Sequence, residues 1–381
     1  MSDASQSATQ NSMAVSPETA QTEIQPLPAS PAPQTDKTPF RQWRFDFHGN
    51  AGEYFKIWIV NLFLTIITLG IYSPWAKVRR MRYFYGNTQL GNDRFDFTAL
   101  PSRILLGRII AVVLFTATSV LSNIDPLWAL VMWGVIFLVM PWLVRSSLRF
   151  RARNSKYGNS RFYFSASTGR TYWLFIKCLL VTVVSFGLLY PVALYWFKSY
   201  QIDNLHIGNL KFKMNSSIGS FYAAVLLPYG VFLAISFVVS IIFLLIAGIV
   251  GISSPNTFDP STLTGLMIVV FYAFMLGFFV PLTQGYLFCT TWHDVYTGRS
   301  RVYTRMSPFS YAWVKFTNYL VIVPTLGLMH PWAAVRFYRA VAESMYVDLS
   351  DDPENLMNLA QNDPHSIGEE IADIFDLDLS L

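Results

Sequence analysis

Charge is scarce in this chain. Of its 381 residues only 13% are Asp, Glu, Lys or Arg, about half the share of an average soluble domain, which excludes a molecule whose whole surface faces water. Cysteine is nearly missing as well: Cys178 and Cys289 both lie in or beside apolar runs, where they read as small packing hydrophobes and exclude a disulfide framework. The five histidines, His48, His206, His293, His330 and His365, lack metal-ligand spacing such as H-E-x-x-H, and neither a Walker-type glycine-rich loop nor a G-x-S-x-G elbow occurs. These absences argue against an enzyme and call for no metal and no cofactor.

Acid is short in one region and base in another. Residues 41–342 carry 27 basic residues and eight acidic ones, whereas 343–381 carry eleven acidic residues and no Lys or Arg. Basic residues flanking apolar helices are explained first by membrane topology, so nucleic acid is not the expected partner. Residues 1–40 have no apolar core and are rich in Ser, Thr, Gln and Pro. They read as a disordered polar tail and not as a cleaved signal peptide.

Apolar residues are abundant, at 53% of the chain. They gather in seven segments, approximately 55–75, 103–122, 127–144, 172–196, 220–252, 263–288 and 311–333, of the length needed to cross a hydrocarbon core of roughly 30 Å. The fifth is long and contains Pro228, which predicts a tilt, kink or break.

The segments recur. Residues 44–97 align without gaps on 161–214 with 15 of 54 identities, and 157–200 align on 297–340 with 14 of 44. Three local patterns carry the match. Alternating aromatics after a Gly-Asn pair, with the patterns Arg44-Phe45-Asp46-Phe47 and Arg161-Phe162-Tyr163-Phe164, suggest a short interfacial strand or hairpin leading into a helix; the alternative is that these aromatics simply form the membrane belt. A Gly-x-x-x-Pro step, at Gly70 and Pro74, Gly187 and Pro191, and Gly327 and Pro331, kinks or ends the first apolar helix of each unit. Turn residues Asn87, Gly91 and Asn92 recur as Asn204, Gly208 and Asn209. The expected fold is therefore an all-α polytopic membrane protein with about seven apolar segments, in two full repeats plus a truncated third, with short interfacial strands or hairpins. Its units are about 44–160, 161–300 and 301–342, followed by an acidic cytoplasmic tail, 343–381.

The stretches Phe45-Asp46-Phe47-x4-Gly52-Glu53-Tyr54-Phe55 and Leu69-Gly70-Ile71-Tyr72-Ser73-Pro74-Trp75-Ala76, followed by Tyr85-Gly86-Asn87-Thr88, resemble the YjgN family of bacterial inner-membrane proteins over most of residues 40–348. The resemblance implies a multipass membrane protein of uncharacterised function and brings no catalytic residues with it.

Basic loops at 76–108 and 145–170, against connections near Asp125 and Asp259 without Lys or Arg, place the former in the cytoplasm. The preferred topology has the second and third segments of each unit as a spanning hairpin, while the first dips in and returns near its Gly-x-x-x-Pro step. The alternative has seven full crossings; both put the C-terminus in the cytoplasm of a bacterial cell, with the chain in its inner membrane.

The leading candidate site is a polar stripe at i, i+4 and i+7, on one helical face: Asn61, Thr65 and Thr68, then Cys178, Thr182 and Ser185, then Asn318 and Thr325. Such a stripe lines a solute path or lets helices approach and hydrogen-bond. Lys177, the one ionisable residue well inside a predicted segment, is either functional or snorkels to the interface. Two functions are carried forward. One is a transporter or channel for a small solute, working at the repeat interface. The other is a non-transporting scaffold that binds lipid or protein through a basic cytoplasmic face and the acidic tail. The lipid bilayer is the partner in both.

Overall fold

A computed structural model describes residues 41–253 and 260–349. The polar tail 1–40 and the acidic residues 350–381 lie outside the described residues. Within them the chain departs from an all-α plan. Ten strands close into one antiparallel barrel: β1 (Arg41–Phe47), β2 (Thr88–Leu90), β3 (Asp93–Phe97), β4 (Ser155–Tyr157), β5 (Ser160–Phe164), β6 (Leu205–Ile207), β7 (Leu210–Met214), β8 (Val295–Thr297), β9 (Ser300–Thr304) and β10 (Met345–Leu349). Each strand pairs with its neighbours in sequence, and β1 closes the ring on β10, with Arg41 opposite Leu349 and Arg44 opposite Tyr346. The stretch assigned to an acidic tail therefore begins with the closing strand.

Period-two alternation explains why these segments are strands. Phe45 and Phe47, Phe95 and Phe97, Phe212 and Met214, and Val347 and Leu349 turn inward into the core or the barrel lumen, while Arg44, Asp46, Arg94, Asp96, Lys211 and Lys213 turn outward. The aromatics thus wall the barrel. A membrane barrel has the opposite polarity, with apolar residues outside, and needs strands of about 9–11 residues. These strands of three to seven residues with a polar exterior belong in water.

Both rims of the barrel follow from local chemistry. On one rim, two-residue loops Gly91-Asn92, Gly158-Asn159, Gly208-Asn209 and Gly298-Arg299 join the strands, and each Gly has φ between 52° and 63°. Glycine at the first central position matches the twist that tight hairpins require. On the other rim, five helical hairpins connect the strands. These are α1 (Ala51–Ile67) with α2 (Ser73–Gly86), α3 (Pro101–Ile124) with α4 (Pro126–Arg153), and α5 (Thr168–Val184) with α6 (Tyr190–Asp203). They continue with α7 (Ile218–Ser253), whose return limb is α8 (Pro260–Phe274), a π-helical turn (Met275–Phe279) and α9 (Val280–Thr291), and end with α10 (Pro308–Ile322) and α11 (His330–Ala342).

Each hairpin is tied at its base by one backbone bond across its two limbs. His48 donates to the Asn87 carbonyl, Thr98 to Asn154, Ser165 to Asn204, Asn215 to Asp294 and Arg305 to Ser344, all at 2.9–3.0 Å. Side chains of Asn87, Asn154 and Asn204 cap the returning helices by donating to the carbonyls four residues back, at 2.7–2.8 Å. Neighbouring hairpins pack in a ring, α2 on α3, α4 on α5, α6 on α7, α9 on α10 and α11 on α1.

Seven crossings are not what the helices offer. Among the described residues four helical stretches are long and apolar enough to cross a membrane: Pro101–Ile124, Leu130–Arg153, Ile218–Ile246 and Met267–Thr291. α7 runs on through Pro228 from Ile218 to Ser253, so the proline does not break it. The other three apolar segments stop at their Gly-x-x-x-Pro steps. There Leu69, Phe186 and Leu326 take left-handed φ of 49–50°, and the following Gly70, Gly187 and Gly327 have φ of 86–90°. Gly70 N–H bonds the Thr65 carbonyl and Leu69 N–H the Ile66 carbonyl, with equivalent pairs at the other two tips, the arrangement that ends a helix and turns the chain back. Pro74, Pro191 and Pro331 then start the return helix, where a missing N–H costs nothing. The steps are chain reversals and not kinks in continuous helices.

Candidate functional site: the barrel cavity

The inner face of the barrel is not completely filled. A cavity of about 420 Å³ runs along it, within the size range of small-molecule sites. Its wall is Phe45, Phe95, Phe162 and Phe212 together with Leu90, Leu205, Ile207, Leu210, Val302, Met345, Val347 and Leu349. The rings order one another: Phe45 stacks on Phe95 at 5.7 Å, Phe95 meets Tyr157 at 4.8 Å, and Phe162 stacks on Phe212 at 6.4 Å. At the helical rim the cavity reaches Tyr85, Trp292, Tyr338, Val341 and Ala342, from the last turns of α2 and α11 and the residue following α9.

Few polar groups face this space. Thr88 is satisfied: its hydroxyl donates to the Phe84 carbonyl (2.7 Å) and lies 3.0 Å from the Tyr338 hydroxyl. Tyr157 donates to the Leu90 carbonyl at 2.7 Å. Burial, and secondarily the charge of Asp93, push the Tyr157 phenol well above its ordinary value, so it stays a neutral donor. Ser160 and Thr297 differ from these. Both side chains are more than nine-tenths buried, both line the cavity, and neither hydroxyl has a hydrogen-bond partner. Each adjoins a tight turn, Ser160 after Gly158-Asn159 and Thr297 before Gly298-Arg299, so both stand at the turn rim.

The polar stripe lies elsewhere, inside the three short hairpins. Asn61 and Asn318 are both buried. Asn318 donates to the Ala333 carbonyl at 3.0 Å and accepts from Arg336 at 2.8 Å, whereas the Asn61 carbonyl oxygen has no partner. Thr65 and Thr182 donate to carbonyls one turn back, at 2.6 and 2.8 Å, and the Cys178 thiol lies 3.6 Å from the Ala193 carbonyl. Thr68, Ser185 and Thr325 do the same at the tips and also accept from the N–H of Tyr72, Leu189 and Met329. These side chains hold their own hairpins closed, and the structure does not gather them around a common space. Lys177 on α5 lies 3.7 Å over the ring of Trp196 on α6, a cation–π contact that keeps the charge inside its hairpin.

The sequence pattern marks Phe45 and Phe162 as strand aromatics but does not show that they share a cavity with the other lining residues. That takes the alternation of the strand residues read across all hairpins at once. Among the described residues no three His, Cys, Asp or Glu side chains come together to hold a metal.

Comparison with known proteins agrees on the class. A family model described as "Bacterial protein of unknown function (DUF898)" matches residues 42–374. Inner membrane protein YjgN of Salmonella typhimurium strain LT2 is 30% identical over 150 residues, and the protein of the same name from Escherichia coli K12 is 28% identical over 150 residues. Each alignment takes in 39% of this chain, which spans 38% of the length of these curated relatives. No solved structure matches. With a family match over most of its length and relatives named as inner-membrane proteins, the chain belongs to the bacterial family of unknown function DUF898.

Proposed function

We propose that this chain is a multipass protein of the bacterial inner membrane whose barrel stands on the cytoplasmic side and takes up an apolar molecule from the adjoining leaflet, as a carrier or receptor. The observation that carries this reading is the apolar cavity, which runs from the turn rim to the helical rim inside a barrel with a polar exterior. All five helical hairpins leave the same rim, so the bilayer lies on that side. Arg79, Arg80, Arg82, Arg145, Arg149, Arg151 and Arg153 lie in the barrel-proximal parts of α2 and α4, and basic residues favour the cytoplasm.

In this topology the α3–α4 hairpin and the hairpin of α7 with α8–α9 cross the membrane. Helices of 24 and 28 residues are about 36 and 42 Å long. The three short hairpins dip in and return, since α1 and α5, of 17 residues each, reach only about 25 Å. Leu69, Phe186 and Leu326 at their tips are 93–96% exposed, which fits hydrocarbon and is unfavourable in water. Recurrence of the same reversal in three hairpins supports reading the chain as repeated units. A path for polar solutes through the stripe is less well supported, because its hydroxyls are already bonded within their own hairpins. The scaffold reading draws on Arg94, Lys211 and Arg301, each the second residue after a tight turn on the outer barrel face.

Two measurements test the proposal in a background of Cys178→Ala and Cys289→Ala. An impermeant thiol reagent added from the periplasm should label a cysteine at Asp125 and not one at Asn159; labelling at Asn159 overturns the orientation. In phospholipid nanodiscs, an alkane brominated along its chain should quench Trp292 fluorescence, and Leu210→Trp, which fills the cavity, should remove that binding. Quenching that survives in the filled variant would place the ligand outside the barrel.

A further inference from the structure

The first hairpin is charged where it leaves the barrel, whereas residues 57–76, which run out to its tip and back, include no Asp, Glu, Lys or Arg. Resting on the membrane placement of the short hairpins proposed above, we infer that the α1–α2 hairpin holds an anionic phospholipid of the adjoining leaflet. The lipid phosphate lies against Lys56, Arg79 and Arg82, and an acyl chain runs along α1 toward the tip.

Geometry supplies the first observation. A groove of about 600 Å³ on the hairpin is lined by Lys56, Ile57, Val60, Arg79, Arg82 and Tyr83. An apolar depression of about 350 Å³, with Ile59, Phe63 and Ile66 in its wall, shares Val60 with the groove. Helical rise puts Lys56, Arg79 and Arg82 about 6–10 Å from the barrel ends of α1 and α2, Val60 at about 14 Å and Ile66 at about 22 Å. Cations therefore stand at the level of the interface and apolar side chains at the level of hydrocarbon, the order of the parts of a phospholipid.

The second observation is charge. Among the described residues no carboxylate pairs with Lys56, Arg79 or Arg82. Arg82 Nε donates to the Phe97 carbonyl at 3.1 Å, which fixes the guanidinium, and Arg79 lies 5.7 Å from the centre of the Tyr72 ring. Glu53 borders the groove, 3.4 Å from the Tyr83 hydroxyl, but does not line it, and three cations outweigh it. The local field thus favours a phosphodiester anion. Residues 350–381 also offer carboxylates; the apolar continuation past Val60 decides against them, because it matches a hydrocarbon chain.

The third observation is that the hairpin fold does not itself call for these cations. At the aligned positions the second hairpin has Trp173, Trp196 and Ser199, and the third has Trp313, Arg336 and Arg339. Arg336 donates to Thr317 and Asn318 at 2.7 and 2.8 Å, and Arg339 to the Gly49 carbonyl at 2.7 Å, so both are engaged within the protein. Of the three short hairpins the first alone lines a groove with Lys and Arg at all three places.

The test uses the full chain in nanodiscs of equimolar phosphatidylcholine and phosphatidylglycerol with the same acyl chains, with the photo-crosslinking analogue p-benzoylphenylalanine in place of Phe63. Mass analysis of the adducts should find phosphatidylglycerol ahead of phosphatidylcholine by about fivefold or more. Lys56→Gln with Arg79→Gln should bring the ratio within about twofold of even, and Lys56→Arg with Arg79→Lys should keep the preference. Lys77→Gln with Arg80→Gln, which removes the same charge outside the groove, should also keep it. Lys56 and Arg79 are exposed, and a melting temperature equal to the parent's shows that the variants fold. An even ratio in the parent chain overturns the site, as does equal loss in the two glutamine variants, which would leave only the diffuse field of a basic face. Adducts to residues 350–381 would seat the acidic segment in the groove instead, and loss of the preference in excess inorganic phosphate at constant ionic strength would reassign it to the free anion. Absence of any lipid adduct overturns the membrane placement of the hairpin together with the site.

Discussion

His206 shows how a single side chain reports on barrel integrity. It lies on β6, is buried, stacks on Tyr163 with ring centroids 4.7 Å apart, and has Nδ1 3.1 Å from the Asn204 carbonyl. Burial lowers its pKa below the ordinary 6.5; the bond to Asn204 opposes that shift, and Lys211, directly across the hairpin, adds to it. The unfolded chain then binds a proton that the folded chain refuses, so stability rises with pH. His206 contributes fully above pH 6.5, and the contribution is lost as pH falls from there through the lowered folded value. Thermal unfolding of detergent-solubilised protein at pH 7.5 and pH 5.5 should show a drop on acidification that is smaller in His206→Gln. An equal drop in both proteins would assign the acid sensitivity to other groups.

Among the elements, the short helical hairpins combine two demands. Their tips reverse the chain away from the barrel, and in the proposed topology they lie in hydrocarbon, where backbone groups must be bonded internally. At the first tip Thr68, Leu69, Gly70, Ile71 and Ser73 donate to backbone carbonyls, Tyr72 donates to the Thr68 hydroxyl, and Pro74 has no N–H. The tip is self-contained, at the cost of holding Leu69 in the left-handed region, which is worth about 1–2 kcal/mol for an L residue. In the proposed topology, retaining Leu, Phe and Leu at these places, where Gly is ordinarily preferred, puts an apolar side chain at the point of deepest insertion. Leu69→Gly should therefore raise stability in detergent, by up to about 1 kcal/mol after the glycine's greater unfolded-state entropy is deducted. The same change should reduce quenching of a fluorophore at residue 71 by lipids brominated near the bilayer centre. A variant that is both less stable and equally deep would contradict this account.

For the whole molecule, closure is the decisive feature. β1 and β10 are separated by nearly the full described chain and pair over four residues, Arg41–Arg44 with Tyr346–Leu349. Arg44 of β1 also forms an ion pair with Glu343, just before β10, at 2.6 Å. Without β10 the strands β1 and β9 present unpaired edges, which template aggregation. Deletion of residues 345–381 should thus yield an aggregated or protease-sensitive product in detergent, whereas deletion of 351–381 should leave a monodisperse peak in size-exclusion chromatography. A monodisperse product from the longer deletion would show that the barrel does not depend on its closing strand.

Local signals settled a good part of this protein. Runs of Leu, Ile, Val and Phe fixed where apolar helices lie, because length and composition suffice for that. Gly-x-x-x-Pro marked where three of them end, because proline and positive-φ glycine act within one turn. Gly-Asn pairs mark three of the four tight turns, the fourth being Gly298-Arg299. Closure belonged to the tertiary structure alone. A three-residue strand such as Thr88–Leu90 has no periodicity long enough to recognise, and although β3 follows it after a tight turn, its other partner, β1, lies across the whole α1–α2 hairpin. Only when all ten strands pair do Phe45, Phe95, Phe162 and Phe212, whose local pattern fits either a short interfacial strand or a membrane belt, become the wall of one cavity. Ser160 and Thr297 behave likewise. In sequence they are ordinary turn-flanking hydroxyls, and it is enclosure by the barrel that removes their water and leaves them without a partner.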